Sequence, residues 1–137
     1  MAFRIRQPVR HPDVDRAGIV YFPRFYDFFH RALEDFFTQE VGIPQWELAD
    51  RLKVAMPVVH IETDFVRPLQ HGDVITIQLS TLKLGTHSVT LRYEVFRPEE
   101  SEPAARSTIV LCFIEAPGWK KTAIPDPVRA AFEKHRA

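Results

Sequence analysis

The sequence predicts an α+β fold, a five-stranded antiparallel sheet wrapped around one long central helix with short helices added. Three observations predict it. Apolar residues recur at 22, 25/26, 29, 32/33, 36/37 and 41, which is the stripe of a helix. Beyond residue 55 the period changes. Residues 56–66, 73–84, 88–97 and 106–116 alternate or run apolar, as strands do. Turn chemistry separates these stretches: Arg67-Pro68 through Gly72-Asp73, then Gly85-Thr86, then Arg97-Pro98 through Pro103.

Each element has its own signal. Residues 3–10 alternate apolar and polar and read as a half-exposed strand, with Pro8 placing it at a sheet edge or near its end. A loop from His11 follows and carries Asp13, Asp15 and Gly18. The helix spans Phe22 to Val41. Pro23 suits its first turn, and Gly42 and Pro44 close it. A shorter helix covers Gln45 to Leu52. The four later strands form a meander that ends at Pro117-Gly118, and Asp126-Pro127 opens a terminal helix within 125–137. The long helix carries Phe22, Phe25, Phe28, Phe29, Phe36 and Phe37, more than a narrow stripe holds. The sheet must curl around it, and an outer strand must be covered or paired, which predicts self-association.

At 137 residues the chain is expected to form one domain, 1–137, with a sizeable core. Eighteen basic residues balance eighteen acidic ones, so no basic stripe invites nucleic acid. No apolar run spans a membrane, and Arg4, Arg6 and Arg10 interrupt any leader-like stretch, so a cytoplasmic location is expected. The lone Cys112 excludes an internal disulfide and a cysteine-rich zinc site. Its apolar strand context predicts a packed, inert thiol.

Chemistry concentrates in His11–Pro23. A carboxylate beside free N–H groups at a helix start can hydrolyse an acyl bond: the acid attacks or activates water, and the N–H groups hold the oxyanion. Asp15 fits this role. It equally fits an Asx-turn or helix cap, since aspartate readily satisfies loop amides. Pro23 has no N–H, so the donors at hand are Tyr21, Phe22 and Arg24. Asp13 is the competing acid.

The run Asp15-Arg16-Ala17-Gly18-Ile19-Val20-Tyr21-Phe22-Pro23-Arg24-Phe25-Tyr26 resembles the catalytic loop of the 4-hydroxybenzoyl-CoA thioesterases. Those enzymes have the hotdog fold and an aspartate before the central helix. The likeness continues through Gly42-Ile43-Pro44-Gln45-Trp46 and, more loosely, Met56-Pro57-Val58-Val59 and Gly72-Asp73. It implies hydrolysis of an aryl-CoA or short acyl-CoA thioester by a homodimer or homotetramer, with no cofactor. Asp15 would be nucleophile or general base, and the Phe22 N–H the oxyanion donor. Gly18, Tyr21, Tyr26, His30 and Trp46 would meet the acyl group. His30 stands where the family places a phenol-binding carboxylate, and the same residue on a solvated helix face would do nothing. Trp46 matches an aromatic lining the acyl pocket across the dimer, or else packs the short helix. Arg16 replaces the family's proline. The family's phosphate-binding cations align near Leu84-Gly85-Thr86-His87, where only His87 and Lys83 carry charge. Arg67, His71 or Arg92 would have to assist.

His60, Glu62 and Asp64 share one strand face. That pattern suits a metal, the acid and base of a dehydratase, or a polar outer face. A non-catalytic acyl-binding scaffold is the remaining alternative to a hydrolase.

Overall fold

A computed structural model describes all 137 residues. Strand β1 (Phe3–Pro8) leads through a single 3-10 turn (His11–Asp13) to helix α1 (Arg24–Phe36), which widens into a π-type turn over Phe37–Val41. Gly42 stops the helix at φ 81°, a left-handed conformation that costs glycine nothing. Another 3-10 turn (Gln45–Glu47) and helix α2 (Leu48–Leu52) follow. Then come β2 (Val54–Ala55), β3 (Val58–Phe65), β4 (Val74–Leu84), β5 (Ser88–Phe96), β6 (Ala105–Cys112), β7 (Ile114–Glu115) and α3 (Asp126–Lys134).

The main sheet has the order β1-β4-β5-β6-β3, with every pair antiparallel. This corrects the expected simple meander. β4, β5 and β6 follow one another, but β3 pairs with β6, so the segment after Phe65 crosses past β6 and β5 to reach β4. The small β2–β7 sheet was not foreseen, because two-residue strands leave no periodic trace.

The inner sheet face is built by alternation. Leu91, Tyr93 and Val95 point inward from β5, while Arg92 and Glu94 point outward. Phe25, Phe28, Phe29, Ala32, Leu33 and Phe36 line the buried side of α1 at helical spacing. The Phe29 ring meets Tyr93 at 5.0 Å, and Phe36 stacks on Phe132 of α3 at 5.2 Å. Each such side chain contributes about 1.5–3 kcal/mol when fully buried. The outer face is polar. The guanidinium of Arg106 donates twice to Glu94, at 2.8 and 3.0 Å, and Arg4 donates to Gln78 at 2.8 Å.

The two sheet edges differ. β1 carries Arg4, Arg6 and Pro8, which blunt it. β3 pairs on one side alone and exposes Val58, Val59, Ile61 and Phe65, with Val66 just beyond. Cys112 at the end of β6 is half-buried rather than packed in the core, because its position falls on the outer face.

Candidate active site

The loop before α1 is a tight hairpin. The Tyr21 N–H donates to the Asp13 carbonyl at 2.9 Å, and the Asp15 N–H donates to Ile19 at 2.9 Å, with Val14 bridging Val20 between them. Gly18 turns the chain at φ +80°, which a side chain would resist. A Cβ built there meets nothing within 4 Å, so within one chain the glycine serves the turn rather than a close approach.

The two acids take different places. Asp13 is buried, and its carboxylate accepts the Arg10 N–H at 2.9 Å. Asp15 lies exposed. Its Oδ1 accepts the Ala17 N–H at 2.8 Å, the Asx-turn bond, while Oδ2 stays open. One aspartate thus caps the loop, and the other keeps an unengaged oxygen.

The main chain sorts the candidate donors in the same way. Helix α1 begins two residues later than expected, with Pro23 as its cap. Tyr21 N–H is spent on Asp13, and Arg24 N–H on the Tyr21 carbonyl at 2.8 Å. Pro23 has none. Phe22 N–H has no protein acceptor. A cavity of about 280 Å³ opens beside this residue, walled by Ile19, Val20, Phe25, Phe65 and Val66. It is apolar apart from Arg67 at its margin.

Around this centre the predicted residues fall into groups. The Tyr21 ring packs on Phe22 at 5.6 Å, and Phe22 on Phe65 at 6.4 Å. The Tyr26 hydroxyl donates to Thr63 Oγ1 at 3.0 Å, and Thr63 is joined to Ser107 at 2.8 Å. Tyr26 thereby pins the first turn of α1 to β3. His30 and Trp46 line one cavity of about 370 Å³ together with Glu34, Thr38 and Gln45. His30 Nε2 sits 3.0 Å from Glu34. Trp46 is not buried in the core beside the short helix. It is 79% exposed on the 3-10 turn over Gln45–Glu47, at the side of a groove that Leu48 and Ala49 of α2 also line.

The cations do not gather in one place. Arg67 lies just past β3 and is bound to Glu100 at 2.7 Å. Lys83 and His87 sit toward the far end of β4, where the register sets Lys83 level with His60 rather than with the Phe65 end of β3. Arg92 is held against Glu94 on the outer face, and His71 borders the Gly18 carbonyl. His60 and Glu62 bond each other at 2.9 Å, both exposed. Asp64 does not join them in a group of three side chains placed to hold a metal ion.

Trp119 and Lys120 escaped the sequence reading. Trp119 shares a groove of about 350 Å³ with Trp46. A tryptophan directly after Pro117-Gly118 was the available signal, since a turn leaves a large apolar ring without cover.

Comparison with known proteins settles the family. The thioesterase-like superfamily model matches residues 9–132. The chain belongs to this superfamily. The chain is 32% identical over 136 residues to a 1,4-dihydroxy-2-naphthoyl-CoA hydrolase from Nostoc punctiforme, covering 99% of this chain and 90% of the relative. The fold matches the crystal structure of a 1,4-dihydroxy-2-naphthoyl-CoA thioesterase from Synechocystis with a TM-score of 0.88 and 28% identity, over 96% of both chains. It also matches a gentisyl-coenzyme A thioesterase with a TM-score of 0.80 and 29% identity, over 96% of this chain and 99% of that one. The hotdog fold expected from the loop motif is therefore the fold of this chain. The likeness to the 4-hydroxybenzoyl enzymes narrows to the superfamily, since these relatives are named for other aryl thioesters.

Proposed function

We propose that this chain hydrolyses aryl-coenzyme A thioesters through Asp15 and the Phe22 N–H, in a site completed by a second copy. One observation carries the reading: an unpaired main-chain donor and a carboxylate with a free oxygen flank one tight hairpin beside an apolar cavity. Thioester hydrolysis is also the activity named for the superfamily relatives at about this identity and coverage.

The chemistry follows from those two groups. The thioester carbonyl oxygen accepts the Phe22 N–H, which strengthens as negative charge builds on it. Such a donor is worth about 2.7–4 kcal/mol in the transition state. Asp15 then either adds to the carbonyl carbon, giving a mixed anhydride that water opens, or takes a proton from the attacking water. In both routes the sulfur leaves as a thiolate and collects a proton.

Geometry supports the second copy. β3 offers an unpaired, apolar edge, and the same edge on two copies joins around a twofold axis, which makes the strands antiparallel. The Phe65 end of one copy then meets the Val58 end of the other. Asp15 and Phe22 belong to the Phe65 end, because Phe22 and Phe25 both pack on Phe65. Trp46 belongs to the Val58 end, since its groove is also lined by Met56, Pro57 and Ile114. The residues that stand apart in one chain come together between two.

A mixing experiment tests this directly. Asp15→Asn and Trp46→Ala proteins, each impaired, are unfolded and refolded together. Half of the dimers are then mixed, and each mixed dimer carries one intact site, so about a quarter of the wild-type rate should return. Recovery no greater than the average of the separate proteins would place the whole site within one chain. Wild-type hydrolysis by Asp15→Asn alone would instead leave an acyl-binding scaffold.

A further inference from the structure

Trp119 is the most exposed large apolar side chain in the protein, at 82%, and it sits at φ 65°. A bulky residue in the left-handed region is strained, and nothing in the chain repays that by burying its ring. Its main chain is nonetheless fixed. The Trp119 N–H donates to Glu115 at 3.1 Å, and the Glu115 N–H donates to Lys120 at 2.7 Å. A rigid hairpin therefore holds an indole out in water.

The residue helps line an apolar groove of about 350 Å³ together with Leu48, Val54, Met56, Ile114 and Trp46. Gln45 and Trp46 also line the cavity that holds His30, so the groove continues from the candidate acyl pocket. At its outer end the charge is positive. Lys120 and Lys121 follow Trp119 directly and are exposed, and the Lys53 carbonyl accepts the Ala116 N–H at 2.9 Å. Glu115 is the single carboxylate of that hairpin. The turn bearing His87 packs alongside, with the Phe113 N–H bound to its carbonyl at 2.7 Å.

An occupant of this groove must be apolar or flat along its length and strongly anionic where it emerges. We propose that Trp119 is a carrier-recognition residue whose indole stacks on the adenine of a coenzyme A thioester, with the pantetheine arm lying in the groove toward Trp46. The phosphates then fall beside Lys120 and Lys121. The assignment rests on the thioesterase reading and deepens it. It explains why the hairpin keeps a strained tryptophan in solvent: π-stacking on a base needs an uncovered, pre-positioned ring.

Free coenzyme A tests the assignment without catalysis. Its dissociation constant is measured by calorimetry for wild type, Trp119→Ala and Trp119→Phe. Trp119→Ala should weaken binding by roughly tenfold, and Trp119→Phe should recover most of the loss, as expected for one lost base stack. In steady-state kinetics with an aryl-CoA thioester, Trp119→Ala should raise KM by a similar factor while kcat stays within about twofold, a split that stacking remote from the carbonyl requires. That penalty should vanish on the same acyl group carried by N-acetylcysteamine, which lacks the nucleotide. Binding of coenzyme A that is absent in wild type, or equal in wild type and Trp119→Ala, overturns the proposal. An equal penalty on the short thioester does so as well. A Trp119→Ala protein that loses dimer mass in light scattering but keeps its affinity for coenzyme A would give the groove to a second copy. Wild-type protein that binds coenzyme A through Trp119 yet hydrolyses no thioester would sink the thioesterase reading and leave this one standing.

Discussion

The carbonyl of Asp13 holds the N–H of Tyr21 at 2.9 Å, and this one bond decides which amide is left for a substrate. With Tyr21 engaged, Arg24 bonded back to Tyr21 and Pro23 without a hydrogen, Phe22 alone offers a donor at the mouth of the helix. Asp13 works twice, since its carboxylate also takes the Arg10 N–H. Asp13 is thus engaged in holding the loop, and Asp15 is the acid that the proposed chemistry uses.

Asp15→Asn should lower kcat by at least about a hundredfold, the scale expected when a positioned acid or base is lost. Asparagine keeps the oxygen that accepts the Ala17 N–H, so the turn survives. Thermal unfolding should therefore shift little. Asp13→Ala should do the opposite, leaving chemistry nearer to wild type and costing about 0.5–2 kcal/mol of stability, because it removes the acceptor of the Arg10 N–H. Paired rate and melting measurements on both variants separate the two roles. A larger rate loss in Asp13→Ala than in Asp15→Asn would reverse the assignment.

An amide-to-ester replacement at residue 22 removes one hydrogen and leaves the aromatic ring in place. The rate should fall about a hundred- to a thousandfold with little change in KM, because the bond tightens as the oxyanion forms. The same replacement at Tyr21 should cost stability instead, since that N–H closes the hairpin on Asp13.

Much of this was readable in the residues themselves. The spacing of Phe25, Phe29 and Phe36 marks a buried helix face, and Gly42 marks its end, because both signals are local. The neighbours of β3 were not readable. An apolar strand is compatible with any partner on the sheet, and only the crossing after Phe65 places it against β6. The site was half legible for the same reason. The loop motif names Asp15 and Phe22, yet the exposure of Trp46 and Trp119 depends on how short turns aim their rings, which composition does not encode. Lys83 and Arg67 look equivalent as free cations in the sequence, but one lies at the far end of the sheet and the other is bound to Glu100.

The open edge yields its own expectation. Ile61→Glu places a charge in the middle of β3, where a joined edge would bury it. The chain should remain folded by circular dichroism and become monomeric in light scattering, and it should lose hydrolysis although Asp15 and Phe22 are untouched. A folded monomer with full activity would refute the composite site.

His30 carries the selectivity prediction. It shares a cavity with Trp46 and can donate or accept a hydrogen bond. His30→Ala should raise KM for a hydroxylated aryl thioester by about two- to tenfold, the worth of one ordinary hydrogen bond. The unhydroxylated analogue should be little affected. Equal losses on both substrates would assign His30 to the Glu34 ion pair on the helix face instead.

Tyr93 sets the alkaline limit of the fold. Burial against Phe29 raises its phenol well above the ordinary value of about 10. Above that pH the unfolded chain releases a proton that the folded chain retains, so the unfolded state gains and stability falls as pH rises. Below it the contribution is fully present. Melting temperature should thus be flat with respect to this group between pH 7 and 9 and decline beyond about pH 10. Tyr93→Phe keeps the ring against Phe29 and removes the proton, so its decline at high pH should be shallower than that of wild type. Identical slopes for the two proteins would assign the alkaline loss to other groups.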